Sequence, residues 1–205
     1  SAYLDESIRK NKGSTLLFLN RKVESGNLFC KNCKHQEFLN RQVSVCPNCQ
    51  SPDIWFNSLN IFTLASEVRK IAPKTRVRLI AEGMNQLPED QRPVIDIATA
   101  SVFYSLQTKK YDLVTNVRTD STLNVADFAS GEKTYFQITD LKKLAIKLLI
   151  LQTYNPNQPV ITAAASGTYR KFFDYETSQR KLLSYPPYSL LVKLTLRGKP
   201  SEELE

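Results

Sequence analysis

Leu16-Leu17-Phe18-Leu19 is an uninterrupted apolar run, and it reads as a strand buried on both faces, the pattern of a parallel sheet covered by helices on either side. Gly13 precedes it. Before that, Leu4 to Lys12 carries Leu4 and Ile8 four residues apart among charges, which predicts a short amphipathic helix. Downstream, Ile54 to Asn57, Val77 to Ile80, Val94 to Ile97, Tyr111 to Val117 and Lys147 to Gln152 read as further strands. Leu64 to Ile71, Asp127 to Lys142 and Tyr169 to Leu183 read as helices. Strands alternating with helices predict an α/β domain with a mainly parallel sheet. Tyr188 to Arg197 alternates polar and apolar residues, so it is expected to be a strand of a separate, less buried sheet that continues past residue 205.

Between the first strand and the rest lies C-x2-C-x12-C-x2-C, written CKNC at Cys30 to Cys33 and CPNC at Cys46 to Cys49, which uses all four cysteines of the chain. Two CxxC turns about a dozen residues apart bring four thiolates to one tetrahedral ion, the arrangement zinc prefers. The competing readings are two disulfides of a secreted protein and iron in a rubredoxin-like site. A chain of 205 residues does not need disulfides to hold its core, and neither a signal peptide nor an apolar stretch of transmembrane length is visible. A cytoplasmic zinc ribbon holding one ion follows. The single histidine, His35, has no vacant coordination position to fill and is read as a surface or DNA-facing side chain.

Lys and Arg number 28 against 20 acids, giving a formal charge of +8 and a pI of about 9.3. That excess favours a polyanionic partner, nucleic acid before an acidic protein, although proteins without such a partner share the balance. Lys31, Lys34, His35 and Arg41 surround the knuckles, and Arg21 and Lys22 lie at the ribbon's base, where they are placed to neutralise phosphates. Trp55 and Phe56 follow the ribbon and are candidates either for stacking on an unpaired base or for the core. Lys74, Arg76 and Arg78 alternate along a strand, which predicts an edge position or a partner on that face. With His35 alone in the ribbon, no Ser/His/Asp or Cys/His set can be assembled, so no catalytic residue is assigned.

LLFLNR at 16–21, the cysteine-rich insertion, DSTLNVADF at 120–128, LQTYNPNQPVI at 151–161 and FFDYETSQRKLLSYPPYS at 172–189 together resemble, in order, the C-terminal helicase lobe of the primosomal protein N′ family, ATP-dependent 3′-to-5′ DNA helicases of bacterial replication restart. The resemblance covers nearly the whole chain. It implies a RecA-like second helicase lobe with residues 1–26 as its start, a zinc ribbon inserted at 27–52, the remainder of the lobe at 53–184 and the beginning of a C-terminal domain at 185–205. It also implies forked or single-stranded DNA and replication-restart proteins as partners, and no membrane association. The family binds two zinc ions through eight cysteines, and Cys30, Cys33, Cys46 and Cys49 correspond to the outer pairs, the inner loop being absent.

Other departures concern ATP. The family's QVAGRAGR run, whose arginines reach the γ-phosphate, corresponds to Asp140-Leu141-Lys142-Lys143-Leu144-Ala145-Ile146-Lys147. Its GTQ-type motif, which couples DNA to nucleotide, corresponds to Ala98-Thr99-Ala100 with only Thr99 kept, and Arg118 stands where an acid is usual. No GxxxxGK[ST] loop occurs in the 205 residues, so the chain alone is not expected to hydrolyse ATP, which enters only in a full-length context. The expected nucleic-acid contacts are Arg21, Lys22, Lys31, Lys34, Arg41 and Thr99. The alternative is a helicase-derived, non-catalytic scaffold that recruits replication proteins.

Overall fold

The computed structural model describes residues 13–20, 26–39, 43–57, 59–82, 94–105, 109–192 and 194. Five parallel strands build the larger sheet: β1 (Thr15–Phe18), β5 (Arg76–Ile80), β6 (Val94–Ala98), β7 (Tyr111–Asn116) and β8 (Ala145–Leu151). Their order is β5-β6-β1-β7-β8, every pairing is parallel, and β1 lies at the centre. The apolar run Leu16 to Leu19 explains that position. Leu17 and Leu19 enter one core with Ile95, Ile97 and Val117, while Leu16 and Phe18 enter another with Val114, Leu141 and Leu144. Successive side chains of a strand point to opposite faces, so only a strand covered on both sides keeps all four residues dry.

The covering elements follow from periodicity. Helix α1 (Ile61–Ile71) buries Ile61, Leu64, Ala65 and Val68, the i, i+3, i+4, i+7 stripe of an amphipathic helix. Its start precedes the expected Leu64 because Asn60 accepts from the Phe62 and Thr63 amides at 2.9 and 3.0 Å, and Thr63 Oγ1 accepts from the Asn60 amide at 2.9 Å. This reciprocal cap fixes the first turn. Two one-turn helices follow, α2 (Val102–Ser105) and α3 (Asp120–Leu123). On the other face α4 (Ser130–Leu144), α5 (Pro159–Ser166) and α6 (Tyr169–Leu182) share a core of Tyr135, Ile138, Val160, Ile161, Ala163, Ala164 and Phe172. Tyr135 and Phe172 stack there at 4.1 Å.

The smaller sheet is antiparallel, in the order β3-β2-β4, with β2 (Gly26–Cys30), β3 (Gln36–Leu39) and β4 (Ile54–Asn57). Ile54 to Asn57 is therefore a strand as expected, but it belongs to the ribbon and not to the alternating α/β series, because it pairs with β2 from Asn27↔Asn57 to Cys30↔Ile54. The expected strand at Tyr188 to Arg197 is corrected over its described residues: 188–192 and 194 carry no strand. Leu190 is 88% exposed, and without a hydrogen-bonding neighbour an alternating segment has nothing to pair with. The helix expected at Leu4 to Lys12 lies outside the described residues. Among the described residues no helix is long and apolar enough to cross a membrane.

Candidate metal centre and nucleic-acid interface

Two turns of the same design present the cysteines. In the first, the Lys34 amide donates to the Cys30 carbonyl at 3.0 Å and the Cys30 amide to the His35 carbonyl at 2.9 Å. In the second, the Gln50 amide donates to the Cys46 carbonyl at 2.8 Å and the Cys46 amide to the Ser51 carbonyl at 2.9 Å. Each turn closes through a left-handed residue, Lys34 at φ 61° and Gln50 at φ 58°. A lining of Leu28, Leu39, Val43, Ile54 and Phe56 packs against the four cysteines. Apart from Val43, this lining is the inner face of the small sheet.

All four Sγ atoms lie within 4.8 Å of one another, with Cys30 to Cys49 at 3.6 Å and Cys33 to Cys46 at 3.7 Å. A tetrahedron with metal–sulfur bonds of about 2.3 Å has edges of about 3.8 Å, whereas a disulfide needs about 2.05 Å. The four cysteines are free and positioned to hold one metal ion. Without an ion, the two thiols of the first knuckle are pushed in opposite directions. The His35 backbone amide, followed by the Asn48 side chain, draws the Cys33 thiol down to about 6. The Cys33 backbone amide favours the Cys30 thiolate as well, but burial and the neighbouring Cys49 thiol outweigh it and push Cys30 up to about 11. A bound cation removes that asymmetry by deprotonating every thiol it coordinates.

Asn32 and Asn48, the residues just before the second cysteine of each knuckle, cross between the turns. Asn32 Nδ2 donates to Cys49 Sγ at 3.7 Å and Asn48 Nδ2 to Cys33 Sγ at 3.6 Å. Neither was singled out in the sequence, although the repeated x-Asn-Cys ending of CKNC and CPNC is a visible signal. Second-layer donors hold ligands in place and typically change metal affinity by about 10–100-fold. Asn32→Ala and Asn48→Ala are accordingly expected to speed metal transfer to a chromophoric chelator by about tenfold each. Unchanged extraction rates in both would show that the amides do not support the ligands.

The expected nucleic-acid contacts divide between the two sheets. Lys31 pairs with Asp53 at 3.2 Å, both exposed. Lys34 donates to the Lys31 carbonyl at 2.8 Å and stands 5.9 Å from the Phe29 ring centroid. His35 meets Glu37 at 3.2 Å. Thr99 is buried, not exposed. Its amide bonds the Ile80 carbonyl and its hydroxyl lies 3.1 Å from that of Ser101. It follows β6 at the carboxyl end of the sheet, where Asn20, just after β1, accepts from the Ala100 amide at 3.3 Å. Ligands of open α/β sheets bind at such strand ends. Arg21, Lys22 and Arg41 lie outside the described residues. Trp55 and Phe56 part company: Phe56 packs on the cysteine side and Trp55 is 54% exposed.

The predicted charged strand is an edge strand, β5, yet Arg78 is buried. It grips Asp96 with two bonds of 2.6 and 2.7 Å, and Lys109 Nζ and the Tyr111 hydroxyl each reach Asp96 Oδ2 at 2.8 Å. The sequence signal for this cluster was the lone acid in the apolar strand VIDIA. Lys142, Lys143 and Lys147, in the segment matched to the family's arginine run, bond the Ala165 carbonyl, Asp140 and Asp112 respectively.

A mainly parallel α/β sheet with a four-cysteine ribbon between its first strand and the remainder is the architecture expected of a helicase lobe with an insertion positioned to hold a metal ion. No family model matches the chain. It is similar to the replication restart protein PriA of Synechocystis sp., 31% identical over 87% of this chain and 23% of that protein, and to those of Borreliella burgdorferi, 24% identical over 98% and 37%, and Bacillus subtilis, 27% identical over 82% and 22%. The chain belongs, as a divergent member, to the replication restart protein PriA family. It spans about a quarter to two fifths of the length of these relatives.

Proposed function

We propose that this chain is the zinc-bearing, DNA-binding helicase lobe of a cytoplasmic replication-restart protein, with forked or single-stranded DNA and other restart proteins as its partners and with its share of the ATP site degenerate. The observation that carries this reading is the four-thiolate centre with basic residues on its first knuckle, set into the sheet of a family named for replication restart. Zinc is the ion that a closed set of four thiolates with tetrahedral spacing suits best. In this reading residues 1–26 and 53–184 form the lobe around a ribbon at 27–52, whose sheet borrows β4, and 185–205 begin a further domain. Arg21, Lys22, Lys31, Lys34 and Arg41 contact phosphates, and Thr99 meets the strand from the carboxyl end of the larger sheet. Lys142, Lys143 and Lys147, engaged within the chain, supply no substitute for arginines at a γ-phosphate, so nucleotide turnover is not a property of this lobe alone.

The test is fluorescence anisotropy of the zinc-loaded chain with forked, single-stranded and duplex DNA at two salt concentrations, beside the triple variant Lys31→Glu, Lys34→Glu, Arg41→Glu. Binding is expected to be salt-sensitive and strongest for forks. Loss of three phosphate contacts should flatten the log–log salt dependence by about 2–3 units of slope. No binding at low salt would overturn the DNA reading.

A further inference from the structure

The outer face of the ribbon sheet carries a row of side chains that the metal centre does not use. Phe29 on the central strand β2 stands opposite Gln36 on β3 and Trp55 on β4, and directly opposed residues of antiparallel strands share a face. Asn27, two residues before Phe29, lies on that face too. The inner-face set of Leu28, Cys30, Ile54 and Phe56 packs together around the cysteines, which leaves Trp55 and Asn27 exposed and Phe29 half-buried. Asn27, Phe29, Gln36 and Trp55, together with Leu28 and Glu37, line a concavity of about 560 Å³, within the usual range of ligand clefts; the Glu37 carboxylate is engaged by His35 at 3.2 Å. Exposing an indole in a small sheet has no folding benefit, since the same strand turns its next aromatic, Phe56, inward against the cysteine cluster.

We propose that this face is a platform for an unpaired nucleobase of single-stranded DNA, with Trp55 and Phe29 as the stacking surface, the carboxamides of Asn27 and Gln36 meeting the base edge, and Lys34 meeting the adjoining phosphate. The proposal rests on the DNA-binding reading and assigns it a contact distinct from the phosphate contacts. Three features select a base over an apolar peptide. The aromatic surface is flanked by carboxamides, each of which offers both a donor and an acceptor to a base edge. The ammonium of Lys34 lies 5.9 Å from the centroid of the Phe29 ring, so a cation adjoins the stacking surface, as backbone-tracking sites require. The chain's charge of +8 draws a polyanion to it.

Trp55 is the only tryptophan of the chain, so its emission reports the platform directly. The zinc-loaded chain is titrated with an oligothymidylate and with an abasic strand of equal length, following tryptophan emission and anisotropy together, with Trp55→Ala and Trp55→Phe in parallel by anisotropy. Emission is expected to be quenched by the base-bearing strand in step with binding and untouched by the abasic one. Trp55→Ala should weaken the base-bearing strand by about tenfold and leave the abasic strand unchanged, while Trp55→Phe restores most of the loss. Unchanged digestion by protease in both variants establishes that the ribbon is intact. Binding without quenching, or full affinity in Trp55→Ala, would overturn the platform and leave the phosphate-contact reading standing. Absence of binding to either strand at low salt would overturn both. A concentration-dependent dimer in sedimentation that Trp55→Ala dissolves, with no quenching by DNA, would overturn it in favour of a second copy of the chain.

Discussion

Cys30→Ser is expected to strip the metal and unfold the ribbon while the α/β lobe stays folded. Among the described residues the ribbon's buried apolar cluster is small, Leu28, Cys30 and Cys46, with partly buried neighbours around them, and a unit of fewer than about 40 residues seldom folds on such a core. In zinc-finger peptides the ion supplies about 10–16 kcal/mol of binding free energy, which is folding free energy as well. Losing one of four thiolates removes a large share of it, and leaves the Asn32-supported Cys49 without the sulfur 3.6 Å away that it shares the site with. Among the described residues the three cores of the lobe contain none from the ribbon, so the damage should stop at the ribbon. Metal content per chain should fall from one to near zero, and limited proteolysis should cut within 26–57 while the rest persists. Metal-free protein with wild-type resistance in that segment would show that the ribbon's hydrogen bonds and apolar lining suffice without an ion.

How far the sequence revealed this molecule depends on which physical constraint acts at each place. Burial on both faces leaves a one-dimensional signature, so Leu16 to Leu19 announced the central strand and the two-sided covering. The cysteine spacing likewise determines convergence, because two tight turns leave the thiolates little freedom. Ile54 to Asn57 was legible as a strand but not as a ribbon strand, since pairing with β2 is a long-range choice that local pattern does not encode. Helix α5 went unread: it is eight residues long, its second half is mostly alanine, and its signals are the Pro159 start, the Gln158 cap and Gly167 at φ 76°, which punctuate more than they predict. Tyr188 to Arg197 shows the converse, a strand-like pattern whose described part forms no strand.

At the candidate site the same division holds. The convergence of Cys30, Cys33, Cys46 and Cys49 was legible from residue type and spacing. The two asparagines were not, because their role depends on facing the other knuckle. Trp55 and Phe56 were a joint alternative of stacking or core, and strand alternation assigns one residue to each side, Phe56 inward and Trp55 outward. The alternation of Lys74, Arg76 and Arg78 predicted an edge position or a partner on that face, and β5 is an edge strand, but the inward burial of Arg78 required its partner Asp96 to be known.

Asp96→Ala is expected to lower the stability of the lobe by about 3–5 kcal/mol, the usual cost of deleting one partner of a buried ion pair. For a domain of this size that corresponds to a melting temperature roughly 6–20 °C lower. Asp96 is fully buried and accepts from Arg78, Lys109 and the Tyr111 hydroxyl, so its loss removes the anion that these two cations and the hydroxyl share in the core. Arg78→Met with Asp96→Leu should recover most of the loss, because an apolar pair removes both desolvated charges and Lys109 stands near enough to the surface to regain water. The sign with pH follows from the carboxyl's shift. Burial alone would raise it, but Arg78 first, then Lys109 and Tyr111, outweigh burial and hold it below its ordinary value. A depressed folded-state value means that the contribution is fully present above the unfolded value of about 3.9 and is lost as pH falls through the folded one. Thermal unfolding of wild type and Asp96→Ala should therefore differ by a constant amount from neutral pH down to about 5 and converge at stronger acid. A difference that persists undiminished in strong acid would assign the cost to packing around β6 and not to the charge that Arg78 holds.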